Sequence, residues 1–250
     1  SGPPLRLVGL SPLGKLAGDE TRDAVNGYLV DRMISAQKTL WGCDFPFGLP
    51  IELRLGPWRD QLSHVSGYHG SAQQYGRWLV ERTEQLLGDK HVRRATDRET
   101  QTPFDCYHYR IIYQTFHGMR DVLSKIAGTR KVLVLPFQYG HAVPAGTSYV
   151  LEACPSSTLK RLGLPHQLYK QSGGKPPSVE NRRRRRRILR TVGEYVDISE
   201  HRRRVMMSNP GGDAIDAVLA GLGVWLGTRR VDHDAIAMHP RYAREGFVYC

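Results

Sequence analysis

The stretch Thr39-Leu40-Trp41-Gly42-Cys43-Asp44-Phe45-Pro46-Phe47-Gly48-Leu49-Pro50 constrains the fold more than any other. A run suited to a buried strand passes directly into an acid. Two prolines and a glycine then forbid simple continuation of a helix or a ladder. A carboxylate is thereby placed at the carboxyl end of a strand, the edge of open α/β sheets where ligands and chemistry collect. Capping of the following turn is the competing role for Asp44, and this stretch alone leaves both open.

The elements around it alternate as an α/β layer arrangement requires. Leu5 to Leu10 reads as a strand. Asp19 to Ser35 reads as a helix, with Val25, Leu29 and Met33 recurring at i+4 and Asp19, Glu20 and Asp23 in the first turn. Lys131-Val132-Leu133-Val134-Leu135-Pro136 is a short continuous apolar run, the mark of a buried strand. Ser148 to Pro155 repeats the Asp44 pattern, with a strand, then Glu152, then a proline, and Ser156 to Lys160 opens a short helix or turn. Residues 51 to 131 read as a mainly helical insertion, with helices expected at Ser71 to Leu87 and at Tyr107 to Ile126. The chain closes with Glu245-Gly246-Phe247-Val248-Tyr249-Cys250, a final short edge segment.

Asp213 and Asp216 begin another helix, whose buried face carries Ile215, Val218, Leu219 and Leu222. Spaced i and i+3, the two acids share a face of the first turn. One of them is an ordinary helix-start acid favoured by the dipole. The second, in an otherwise apolar helix, repels the first unless a cation joins them or a proton is shared.

The 250 residues carry a formal net charge of +12, which points to an acidic partner, most commonly nucleic acid. Much of the excess is Arg182, Arg183, Arg184, Arg185, Arg186 and Arg187, which run into Ile188, Leu189, Val192 and Val196 at helical spacing. The run therefore reads as the first turns of an amphipathic helix, facing either solvent or a polyanion. Arg93 to Pro103 reads either as a solvated connection or as a cover over the Asp44 edge that brings Arg94 and Arg98 to phosphates, with Lys160 joining them. The tryptophans and tyrosines read as packing groups more than as base-stacking platforms.

Several classes are unsupported. The four cysteines, Cys43, Cys106, Cys154 and Cys250, form no Cys-x-x-Cys pair, which fits a reducing, cytoplasmic setting and neither a disulfide framework nor a zinc knuckle. No apolar run is long enough to span a membrane. There is no His-Glu-x-x-His, Gly-x-Ser-x-Gly or glycine-rich phosphate loop, so mechanism falls to the acids.

Asp44-Phe45-Pro46-Phe47-Gly48-Leu49-Pro50, Glu152-Ala153-Cys154-Pro155-Ser156-Ser157-Thr158-Leu159-Lys160, Gly211-Gly212-Asp213-Ala214-Ile215-Asp216-Ala217 and Glu245-Gly246-Phe247-Val248-Tyr249 occur in an order that resembles the domain-of-unknown-function family four-two-nine. Arg94-Ala95-Thr96-Asp97-Arg98-Glu99 and Tyr113-Gln114-Thr115-Phe116-His117-Gly118 extend the resemblance over nearly the whole chain. It implies a predicted nuclease with a ribonuclease H-like fold, related to Holliday junction resolvases of the RuvC type. Asp44 is similar to that fold's later-strand acid, and Asp213 and Asp216 resemble its helix pair. The resemblance implies that these three hold Mg²⁺ or Mn²⁺, with Glu152 as a further ligand or a base. The family's first acid lies in a Gly-x-Asp strand, and no Asp precedes Asp19 here. Either the amino-terminal part is absent from this chain or that acid has been lost.

The expectation is an α/β, ribonuclease H-like domain, its mixed sheet flanked by helices. Its function is a divalent-metal-dependent nuclease acting on DNA or RNA, using Asp44, Glu152, Asp213 and Asp216. The alternative is an inactive nucleic-acid-binding or assembly module on the same fold. Self-association into a homo-oligomer is left open.

Overall fold

Strand Ser148–Ala153 forms the centre of the main sheet because it is apolar on both faces. The computed structural model describes residues 2–141 and 143–250. In chain order the elements are β1 (Leu5–Arg6), α1 (Leu13–Ala17), α2 (Arg22–Ser35), β2 (Leu40–Cys43), a 3₁₀ turn (Ile51–Leu53), α3 (Trp58–Ser66), α4 (Ala72–Leu87) and α5 (Ala95–Glu99). Then come α6 (Ile112–His117), a π-helical segment (Gly118–Leu123), α7 (Ser124–Ile126), β3 (Val132–Leu135), β4 (Ser148–Ala153), α8 (Pro155–Arg161) and α9 (Val179–Val192). The chain ends with β5 (Val196–Asp197), α10 (Glu200–Ser208), α11 (Asp213–Arg230), α12 (His233–Met238), α13 (Tyr242–Glu245) and β6 (Val248–Tyr249).

The main sheet has the order β2-β4-β3, and β6 pairs with β4 beyond the end of β3. Every pairing among the described residues is parallel, so no antiparallel strand is seen where a mixed sheet was expected. The closing segment is a short edge strand, as expected, pairing with β4 alone, and its Val248 and Tyr249 are buried beside Glu152 and Ala153. The Leu5 to Leu10 strand shrinks to two residues and leaves the main sheet, pairing with Val196 and Asp197.

Alternation along the strands distributes the core. Val132, Val134 and Val150 join α2, α3, α4 and α6 in one apolar cluster, while Leu133, Leu135, Leu151 and Ala153 join α11 and α12 in another. Helices therefore cover both faces, which is an α/β architecture. A third cluster packs α8, α9, α10 and α11 together. Residues 51–131 are helical in all their regular elements, as the sequence led one to expect. The Tyr107 to Ile126 helix, however, begins only at Ile112, and the helix expected from Asp19 is α2, which begins at Arg22 after Thr21 takes the N-cap position. No helix among the described residues is long and apolar enough to cross a membrane.

The close approach of α11 to the sheet depends on Gly42. A Cβ there would lie 2.7 Å from the Ala220 carbonyl oxygen, a backbone atom that cannot step aside alone. Gly42→Ala is expected to lower unfolding stability in urea by about 1–3 kcal/mol, the usual cost of an extra methyl in a packed interior. An unchanged midpoint would mean that α11 shifts freely on β2.

Candidate active site

Asp44 follows β2 directly, and the Cys43↔Glu152 register sets it just past the level of Glu152 on the neighbouring strand. Both carboxylates thus reach the carboxyl end of the parallel sheet, but their surroundings separate them. Glu152 is buried and bound on both oxygens by Arg94, whose Nη1 donates to Oε2 at 2.8 Å and Nη2 to Oε1 at 2.6 Å. The Phe47 N–H adds a bond to Oε2 at 2.9 Å. Arg94 also donates to both oxygens of Asp97, at 3.0 and 2.8 Å, and to the Glu245 carbonyl at 3.0 Å.

That network corrects two expectations. Arg94 is 1% exposed and spends its guanidinium inside the protein, so it is not a phosphate contact. Burial opposes its charge, but Asp97 and Glu152 outweigh burial and raise its pKa further. Glu152, for its part, is the internal counter-ion of Arg94 and not an open ligand or base.

Asp44 has no such partner among the described residues. It is exposed at the mouth of a small cavity whose protein walls crowd its carboxyl. Burial, then repulsion from Asp216, raises its pKa to about 7, with Lys170 opposing and Glu152 adding to the rise. Asp216 lies on α11, one helical turn inside the N-terminus, and is buried. Its carboxylate accepts the Tyr169 hydroxyl at 2.7 Å on Oδ1 and is paired with the Lys170 ammonium on Oδ2. Lys170 is half-exposed. Burial works against its charge, and Asp216, Asp44 and Asp213 together overcome burial to raise its pKa. One ammonium therefore sits in the field of all three acids. Asp213 itself is exposed, at the first helical position after Gly212, which turns the chain with φ +82°.

Arg185 holds this arrangement in place. It is fully buried, and its Nε donates to the Tyr169 carbonyl at 2.7 Å. Its terminal nitrogens reach the carbonyls of Asn209 at 2.6 Å and Pro210 at 2.9 Å, as well as Met206 and Met207. The segment carrying Tyr169 and Lys170 is thus clamped to the turn that starts α11. The expectation that Arg185 faces a polyanion fails for the same reason, since its donors are spent on five carbonyls. The rest of the run divides. Arg184 is half-buried and bound to Glu180 at 2.6 Å, whereas Arg182, Arg183, Arg186 and Arg187 are exposed on the outer face of α9.

The acid cleft continues into a basic one. A cavity of about 70 Å³ is lined by Asp44, Phe45, Thr102, Pro103 and Phe104 among others. Thr102, Pro103 and Phe104 also line an adjoining cavity of about 490 Å³, whose walls carry Arg93, Arg98, Lys160 and His166. Arg98 and Lys160 line this adjoining cavity, and the Lys160 ammonium donates to the Gln101 carbonyl. Sequence reasoning did not single out Tyr169, Lys170 or Arg93. A Tyr-Lys pair in a loop, 46 positions before its acid, carries no spacing signal.

Among the described residues, no group of three or more His, Cys, Asp or Glu side chains converges tightly enough to hold a metal ion. The donors fit a hard divalent cation in a more modest way. Asp44 and Asp216 are two oxygen-donor acids, with Asp216 acting repulsively on Asp44, and Mg²⁺ is commonly held by one or two carboxylates together with water and substrate phosphates. Comparison with known proteins finds no family model, no curated protein and no solved structure that matches this chain.

The raised Asp44 carboxyl has a pH signature. In an unfolded chain an Asp titrates near ~3.9. Raised to about 7 in the fold, it keeps a proton that the unfolded chain has already released, so stability falls as pH rises from about 4 through 7. Asp44→Asn removes that loss. In thermal unfolding without divalent cations, the variant is expected to melt higher than the parent at pH 8 and level with it at pH 4. A difference independent of pH would show that Asp44 is not strained by its neighbours.

Proposed function

We propose that the protein is a divalent-metal-dependent nuclease that hydrolyses phosphodiester bonds of DNA or RNA on a ribonuclease H-like framework. The observation that carries this reading is Asp44, standing in the repulsive field of Asp216, on a small cavity that shares Thr102, Pro103 and Phe104 with a cavity walled by Arg93, Arg98 and Lys160. The resemblance to the family four-two-nine agrees with it and rests on the motifs alone.

Asp44 and Asp216 are the ligands for Mg²⁺ or Mn²⁺ in this reading, with Asp213 alongside. When bound, such a cation activates water and steadies the leaving oxygen in an in-line displacement. Arg98, Lys160 and Arg93 attract the phosphate backbone and fix its path beside the acids. With a pKa near neutrality, Asp44 is able to hold or release a proton at its carboxyl at working pH. Lys170, half-exposed and paired with Asp216, would have to leave that carboxylate for a cation to be held there. The exposed arginines of α9 extend the positive surface for a polyanion.

A second reading has its own observation. Lys170 already neutralises Asp216, and a site balanced by an internal ammonium suits a module that binds nucleic acid without cutting it. The two are separated by incubating the parent and Asp44→Asn with single-stranded and duplex DNA and RNA, with and without Mn²⁺. The nuclease reading predicts Mn²⁺-dependent cleavage that falls roughly a hundredfold or more in the variant, as when a group stabilising developing charge is removed. If neither protein cuts any substrate while both bind equally, the binding module stands.

A further inference from the structure

Next to the basic cleft lies a ladder of rings that the acid site does not use. Phe104, which lines both the acid and the basic cavity, stacks on His108 with ring centres 4.5 Å apart and planes 19° apart. His108 meets Tyr109 at 4.4 Å, and His91 stacks on Tyr107 at 5.5 Å. The Arg110 guanidinium lies 5.5 Å from the Phe104 ring centre and 5.7 Å from that of Tyr109. Beyond Tyr109 the surface opens into a cavity of about 510 Å³, lined by Gly76, Arg77, His91, Tyr107, Tyr109 and Tyr113 among others.

The ladder stands on a rigid base. The buried Asp105 carboxylate accepts the Tyr107 N–H at 3.2 Å and pairs with His91 at 3.1 Å. The Tyr107 hydroxyl receives the Val92 N–H at 2.7 Å and bonds Thr83 at 3.0 Å. On this base Tyr109 is 70% exposed and Tyr113 48% exposed, so neither ring serves the core. Flat apolar faces interleaved with guanidinium groups, held without further ordering cost, are what a single strand with unstacked bases requires. A duplex keeps its base faces covered and gains nothing from them.

We propose that Phe104, His108, Tyr109 and Tyr113, with Arg110 and Arg77, form a stacking track for single-stranded nucleic acid leading from the basic cleft into the 510 Å³ cavity. This deepens the preceding reading and rests on it for the choice of a nucleic acid; it names unpaired strands as the substrate class. The size of the cavity lies within the usual range for a pocket that encloses a small organic group, and a nucleobase with its sugar is such a group.

The test is fluorescence anisotropy with labelled oligo-dT, oligo-rU and a duplex of equal length, on the parent and on the Tyr109→Ala/Tyr113→Ala protein. Tyr109→Phe/Tyr113→Phe serves as the ring-preserving control, and thermal unfolding checks that all three are folded. The track predicts that the parent favours single strands over duplex. It predicts a loss of at least about 5-fold in single-strand affinity for the Ala protein, the lower end of what one base-aromatic stack contributes. The Phe protein should bind within about twofold of the parent, and duplex binding should be unchanged in all. The dT and rU arms show whether DNA or RNA is the better occupant. Equal affinity of parent and Ala proteins for single strands, a parallel loss on duplex, or no single-strand binding by the parent overturns the proposal. Mn²⁺-dependent cleavage, followed in the same samples, keeps the two readings apart: cleavage that persists without a single-strand preference sinks the track and spares the acid site.

Discussion

The Arg94 guanidinium decides where the candidate site can be. A planar fork with five donors joins Asp97 at the start of α5, Glu152 near the end of β4 and the Glu245 carbonyl before β6. The Phe47 N–H shares the same Glu152 oxygen, so the chain leaving Asp44 is tied to the hub as well. An ion pair at this depth is stable only while complete, since a lone charge left behind costs roughly 3–5 kcal/mol. The helical span and the sheet are therefore locked together at the strand ends. Asp44 points into the space that remains.

That lock divides the acids into two kinds. Glu152 and Asp97 have a permanent internal cation and carry no free charge to offer. Asp44 and Asp216 have only Lys170, a half-exposed ammonium in a loop that Arg185 clamps to the start of α11. Asp44 lines a small cavity that shares Thr102, Pro103 and Phe104 with one whose walls carry Arg93, Arg98 and Lys160. In the proposed function, this arrangement draws a small cation inward and a phosphate backbone alongside it. The rings of Phe104, His108 and Tyr109 continue from the same cavities toward the larger one that Tyr109 and Tyr113 line.

The parts of this arrangement that sequence reveals are those with local signals. Strand β2 and its terminal acid, the buried runs of β3 and β4, and α11 with Asp213 and Asp216 were all legible, because period, apolar content and helix-start residues lie within a few positions of one another. Long-range charge pairing was not. Arg94 reads as a surface arginine because charged residues are rarely buried, and its partner Glu152 is 58 positions away. Arg185 is indistinguishable in sequence from the five arginines around it, yet it alone of them is fully buried, because its position on α9 turns inward with Ile188, Leu189 and Val192. The all-parallel pairing and the detachment of Leu5 and Arg6 from the main sheet likewise depend on contacts between distant segments.

The central claim is that Asp44 and Asp216 form a cation site in which Lys170 occupies the charge position of a metal. Calorimetric titration of Mn²⁺ into the parent protein and into Lys170→Met near neutral pH addresses this most directly. Removal of the competing ammonium should make Mn²⁺ bind more tightly, with the gain abolished when Asp44→Asn is added. A Lys170→Met protein that binds Mn²⁺ no better than the parent, or a gain that survives Asp44→Asn, contradicts the claim.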